Sequence, residues 1–96
     1  MDYKKDFPIF QNITNHYLDT AATSQKPKIV LDKIMEYYEK YNGNPGRGSH
    51  ALSMEAAGLL SDAREKVRNF IHAEKSEEVI FTKNTTESIN LIAYSY

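Results

Sequence analysis

Ninety-six residues are enough for one small domain and too few for a two-domain enzyme. Twelve basic against thirteen acidic side chains leave a formal charge of −1, which gives no electrostatic footprint for nucleic acid or an anionic membrane. There is no cysteine, so disulfides, thiolate metal sites and a thiol nucleophile are excluded within this chain. No apolar run approaches the roughly 18 residues of a membrane span. The opening "MDYKKDFPIF" has charges but no apolar core region, so it does not read as a signal peptide. A water-soluble, cytoplasmic chain is the expectation.

In chain order, "HYLDTAAT" (His16 to Thr23) opens with a short apolar pair and turns to small residues, which predicts a brief strand running into a turn. Pro27 suits the first position of a helix, where its missing N–H is not needed. Val30, Ile34, Tyr37, Tyr38 and Tyr41 follow at helical spacing, and Asn42-Gly43 ends the run with the usual residue for a left-handed exit. "GNPGRGSH" (Gly43 to His50) is a glycine-rich loop. A second helix is predicted from Ser53, a favourable N-cap, to about Ala73, with an apolar stripe at Ala56, Leu60, Ala63, Val67 and Phe70. "EEVIFT" (Glu77 to Thr82) reads as a strand. Ile89, Ile92 and Ala93 mark one face of a third helix, and Asn84 with Glu87 has the spacing of a capping box.

The predicted fold class is α/β, in the order short strand, helix, glycine-rich loop, helix, strand, helix. Two short strands cannot cover the apolar faces of three helices, so sheet edges and helix faces are expected to stand open. The final "AYSY" carries no Gly, Asn or Pro to stop its helix, so the pattern predicts an incomplete domain.

Three motifs have the chemistry of a site, and each also has a plain explanation. In "NTTES" (Asn84 to Ser88) a strand meets a helix N-terminus, whose free N–H groups and partial positive charge suit a phosphate. Ordinary capping accounts for the same residues. In "NPGRGSH", Gly46 and Gly48 free the backbone around Arg47, an arginine that can clamp a carboxylate by two parallel bonds. A flexible polar connector explains it too. The small side chains of Ala21 and Ala22 in "DTAAT" admit a ligand, or simply a tight turn. His16, His50 and His72 have no metal-site spacing, and no metal is expected.

Taken together, "DFPIF", "YLDTAATSQKP", "YYEKYNGNPGRGSHALS", "AREKVRNFI" and "EEVIFTKNTTESINLIAYSY" resemble the start of a cysteine desulfurase, within the class V aminotransferases. The resemblance implies a pyridoxal-phosphate (PLP) enzyme of fold type I, with residues 1–96 as an incomplete N-terminal segment of its domain. In that reading residues 1–52 form the first strand, helix and active-site loop, and residues 53–96 open the large domain. It implies PLP phosphate at Thr85 and Thr86, substrate near Ala21 and Ala22, and Arg47 reaching the partner subunit's site in a homodimer. The implied reaction takes sulfur from L-cysteine or a related amino acid, leaving alanine and a persulfide for a sulfur-acceptor protein in iron–sulfur cluster assembly.

Two departures accompany the resemblance. The sulfur-mobilisation branch usually has a histidine directly before the loop arginine, whereas this chain has Gly46. The Schiff-base lysine and the nucleophilic cysteine lie well downstream in the family, so no catalytic residue is expected here and the chain alone is expected to be inactive. The alternatives are a piece of another class V enzyme (an aminotransferase or selenocysteine lyase) or a non-catalytic binding remnant.

Overall fold

The computed structural model describes residues 2–96. It contains three α-helices, α1 (Lys28–Glu36), α2 (Ala51–Ile71) and α3 (Thr85–Ser95). Short 3₁₀ turns lie at Tyr3–Asp6, Pro8–Gln11 and Ser76–Glu78, and a π turn at Tyr37–Tyr41. The chain divides between Ala56 and Ala57, inside α2, so α1 and the glycine-rich loop belong to one unit and α3 to the other.

In the first unit, α1 starts one residue later than the sequence suggests. Pro27 is extended (φ −68°, ψ 154°) and serves as the N-cap, its carbonyl accepting from the Val30 and Leu31 N–H groups. Surface pairs support the helix, Lys28–Asp32 at 2.6 Å and Lys33–Glu36 at 2.7 Å. The helix then widens into the π turn, and the Tyr37 and Tyr38 rings meet edge to face at 5.7 Å. The expected stripe is present but not covered. Val30, Ile34 and Tyr38 line an open groove with Ile29, Lys33 and Tyr37.

Gly43 does not make the left-handed exit that the sequence predicts. The described residues with positive φ are Gly46 and His72. Gly43 is needed for a different reason, since a Cβ there would stand 2.6 Å from the Leu52 carbonyl carbon and oxygen. The close approach requires glycine, and the torsion does not. Helix α2 also begins before its predicted cap. The His50 carbonyl accepts from the Ser53 N–H (3.0 Å) and the Met54 N–H (3.2 Å), which places Ser53 inside the first turn and buried.

In the second unit, α2 ends at Ile71 in a Schellman arrangement. The Ala73 N–H reaches back to the Arg68 carbonyl (3.0 Å) and the His72 N–H to that of Asn69 (3.4 Å). The left-handed residue between them is His72, at φ 57°, where a glycine is usual.

Neither predicted strand forms among the described residues. Tyr17 and Leu18 run without a ladder, Leu18 is 92% exposed, and the next carbonyl, Asp19, is taken by turn hydrogen bonds. Glu77 and Glu78 lie in a 3₁₀ turn, after which Val79 is extended (φ −97°, ψ 107°), its N–H turned back to the Ser76 carbonyl (3.1 Å) and not to a neighbouring strand. Extended torsions become a strand only when a neighbouring chain segment accepts their N–H groups, and no described segment does so. The α/β pattern is therefore seen as helices with extended connectors. Among the described residues few are buried, with Ser53 and Ala56 in the first unit and Val79 in the second.

Candidate functional site

The Ala21–Ala22 turn is closed by its own backbone. The Asp19 carbonyl accepts from the Ala22 N–H (3.2 Å) and the Thr23 N–H (3.0 Å). The Tyr17 hydroxyl reaches the carbonyls of Asp19 and Thr23, bracing the turn from one side. Ala21 and Ala22 themselves are exposed and present only methyl groups to a visitor.

The glycine-rich loop is held at its base. The Tyr37 hydroxyl donates to the Gly43 carbonyl (2.9 Å), and the Ser53 hydroxyl to the Asn44 carbonyl (2.5 Å). At the far side, a Cβ on Gly48 would meet the Ser53 Oγ at 2.9 Å. At the apex, Gly46 is left-handed (φ 82°) with open space around it, and Arg47 follows. Among the described residues Arg47 makes no hydrogen bond or ion pair, and it is exposed. Its guanidinium is free to take a carboxylate in two parallel bonds. No hydrogen bond joins this loop to the Ala21–Ala22 turn among the described residues.

In the second unit, Asn84 is extended and its Oδ1 accepts from the Glu87 N–H (2.9 Å). Glu87 returns the bond, its carboxylate accepting from the Lys83 N–H (2.6 Å), one residue before the cap. The Thr82 and Ser88 hydroxyls pair at 2.7 Å. The Ser88 N–H returns to the Asn84 carbonyl. Among the described residues, the Thr85 and Thr86 N–H groups have no acceptor, and their hydroxyls make no hydrogen bond. That leaves two amides and two hydroxyls as free donors at the positive end of an eleven-residue helix.

A family profile, Aminotransferase class-V, matches residues 16–96. The chain belongs to the class V aminotransferase family. Among its relatives, a protein named "Probable cysteine desulfurase" from Streptomyces coelicolor is 54% identical over 94% of this chain and 23% of its own length. One of the same name from Treponema pallidum is 47% identical over 99% of this chain and 24% of its own. The apo structure of a cysteine desulfurase from Thermococcus onnurineus NA1 matches with a TM-score of 0.84 at 46% identity, over 96% of this chain and 22% of that one. This class V chain thus spans about a quarter of the length of the curated relatives it matches.

The structure keeps Ala21, Ala22 and Arg47 within the first unit of this class V chain and Thr85 and Thr86 within the second. Among the described residues no cluster of three or more His, Asp or Glu could hold a metal. Two supporting residues escaped the sequence reading. Ser53 looked like a helix cap, and only its burial and its bond to Asn44 show that it anchors the loop. Arg64 was given no role from sequence, yet its guanidinium lies 5.8 Å from the Phe81 ring centre, three residues before Asn84.

Electrostatic perturbation lies away from these donors. Glu65 is held below the usual carboxylate range, first by the hydroxyl of Ser76 and then by the Arg68 guanidinium at 2.8 Å. Together they tie the end of α2 to the Ser76–Glu78 turn. Hydrogen bonding and charge between Lys33 and Glu36 raise the amine and lower the acid, on the surface of α1.

Proposed function

We propose that this chain forms one edge of the cofactor and substrate site of a PLP-dependent cysteine desulfurase. The observation that carries the proposal is the pair of unpaired amides and hydroxyls at Thr85 and Thr86, on a chain about half identical to proteins of that name. A phosphate needs several donors and a positive environment, and this donor set supplies both. Thr85 and Thr86 would hold the PLP phosphate, while Arg47 would take the carboxylate of an amino-acid substrate and the Ala21–Ala22 turn would leave room for it. PLP, when bound, supplies an electron sink for bonds at the substrate's α-carbon.

The overall change is L-cysteine plus a thiol giving L-alanine plus a persulfide, one sulfur atom passing to the thiol. No thiol is available within this chain, so the acceptor has to be provided from outside it. The reading includes a homodimer, in which Arg47 serves the neighbouring subunit, and onward transfer to a sulfur-acceptor protein.

The test is a graft in which this chain replaces the corresponding stretch of the Streptomyces coelicolor relative. The expected result is formation of L-alanine from L-cysteine with PLP retained, and release of sulfide once an added dithiol reduces the persulfide. Thr85→Val together with Thr86→Val should weaken PLP binding about tenfold or more, since hydrogen bonds to a charged group are each worth roughly 1.5–3 kcal/mol. Unchanged PLP affinity in the double variant would refute the phosphate assignment.

A second reading rests on Gly46. Its φ of 82° is one that histidine, the residue of the sulfur-mobilisation branch at this place, would adopt only with strain. A loop rebuilt in this way favours a related amino-acid substrate, as in another class V aminotransferase or a selenocysteine lyase. Comparing L-cysteine, L-selenocysteine and amino-donor substrates in the same graft separates these cases.

A further inference from the structure

We infer that Ser53 is a positioning residue for the Arg47 loop, acting on a carboxylate ligand only through that arginine. This rests on the substrate-binding role proposed for Arg47 and extends it to the residue that fixes the loop.

Ser53 is 1% exposed and is the only polar residue buried among those described. A buried hydroxyl is costly unless it is bonded, and this one donates to the Asn44 carbonyl at 2.5 Å, on the entering arm of the loop. The leaving arm presses on the same side chain, since a Cβ on Gly48 would lie 2.9 Å from Ser53 Oγ and 3.0 Å from Ser53 Cβ. On the entering arm Gly43 packs against the Leu52 and Ser53 backbone, with the Tyr37 hydroxyl on its carbonyl. Both arms therefore close on one residue, at the start of α2. Between them stand only the Pro45–Arg47 turn and the left-handed Gly46, so the place of Arg47 is set by the base of the loop. Without the Ser53 hydroxyl the Asn44 carbonyl loses its tether and the arms are free to separate. Arg47 would then have to be ordered at the moment of binding, which weakens binding without altering bond-making steps.

The first test uses the full 96-residue chain and trypsin. Cutting at Arg47–Gly48 requires the loop to open, so Ser53→Ala should speed it about fivefold or more while cutting at Lys33 and Lys66 stays unchanged. Equal rates at Arg47 would overturn the inference. Faster cutting at all three sites would mean that the alanine variant unfolds, and Gly48→Ala then decides by pushing on Ser53 from the loop side. If Gly48→Ala leaves Arg47 as protected as before, Ser53 is not the anchor.

The second test uses the graft described above. Ser53→Ala should raise KM for the amino-acid substrate about tenfold and change kcat less than twofold. In an Arg47→Ala background it should add nothing, whereas a purely structural serine would still cost activity there. Additive effects would overturn the inference. Absence of activity in the unsubstituted graft would count against the proposed function instead, with the trypsin result still deciding Ser53.

Discussion

Replacing Asn84 separates the two explanations of the Asn84–Ser88 junction. In Asn84→Ala the Glu87 N–H loses its 2.9 Å acceptor, while the Glu87 carboxylate keeps its bond from the Lys83 N–H. Loss of such a cap costs about 1 kcal/mol, roughly a fivefold fall in helix population. Helix α3 cannot absorb that easily. It has eleven residues and no buried one, and helices shorter than about 12–15 residues are marginal without packing. Asn84→Asp behaves differently, since aspartate caps as well as asparagine and its charge favours a helix N-terminus. The same charge beside Thr85 and Thr86 repels a phosphate. Amide exchange at Glu87 and Ser88, with a titration of inorganic phosphate, reads both properties. Alanine should lose protection about fivefold, and aspartate should keep protection while losing phosphate binding. The capping argument fails if alanine leaves α3 exchange unchanged, and the anion argument fails if aspartate still binds phosphate.

The remaining predictions concern other parts of the chain. Gly43→Ala places a methyl 2.6 Å from the Leu52 carbonyl group, so the loop base must shift and the Tyr37 bond to Gly43 should break, visible as a change in tyrosine fluorescence. His72→Gly relieves a left-handed side chain and should stabilise the end of α2 by about 1 kcal/mol, read as slower exchange at Ala73. Glu65 has a lowered folded-state pKa, so its contribution is fully present above the ordinary carboxylate range and is lost as pH falls through the lower folded value. Acid should therefore loosen the Ala73–Ser76 segment, and Glu65→Gln should remove that transition in an exchange-versus-pH series. A Glu65→Gln chain that still showed it would point to another group.

What could be read from the sequence depended on how local the cause was. The start of α3 and its Asn84–Glu87 pairing were legible because both partners lie within one turn. Glu77–Thr82 reads as a strand but forms no ladder among the described residues, because β-branched residues set the torsions and not the neighbour that turns them into a ladder. Ser53 was misread as a cap for a similar reason. Serine three residues into α2 looks the same in sequence whether its hydroxyl turns to its own helix or, as here, back across nine residues to Asn44. Gly43 was correctly marked as special but for the wrong reason, since sequence cannot tell a glycine needed for torsion from one needed for approach. Arg47, Thr85 and Thr86 were singled out by residue type and setting, whereas the Ser53 bond that closes the base of the Arg47 loop was not foreseen.

Capping and anion binding at the α3 N-terminus also turn out not to compete. A helix start exposes several N–H groups, and a single side-chain cap satisfies the one furthest in. Here Asn84 takes Glu87 and its carbonyl takes Ser88, so the helix is secured from its third residue onward. The Thr85 and Thr86 amides are left without an acceptor by that same arrangement, each on a residue with a hydroxyl of its own. Had the cap been an alanine, the donors would still be there but the turn presenting them would fray. Had Thr85 or Thr86 been apolar, the helix would start as well and offer the anion less. The ordinary explanation of this junction is therefore a condition for the proposed one, and the donors that the cap leaves unused are those the proposal assigns to a phosphate.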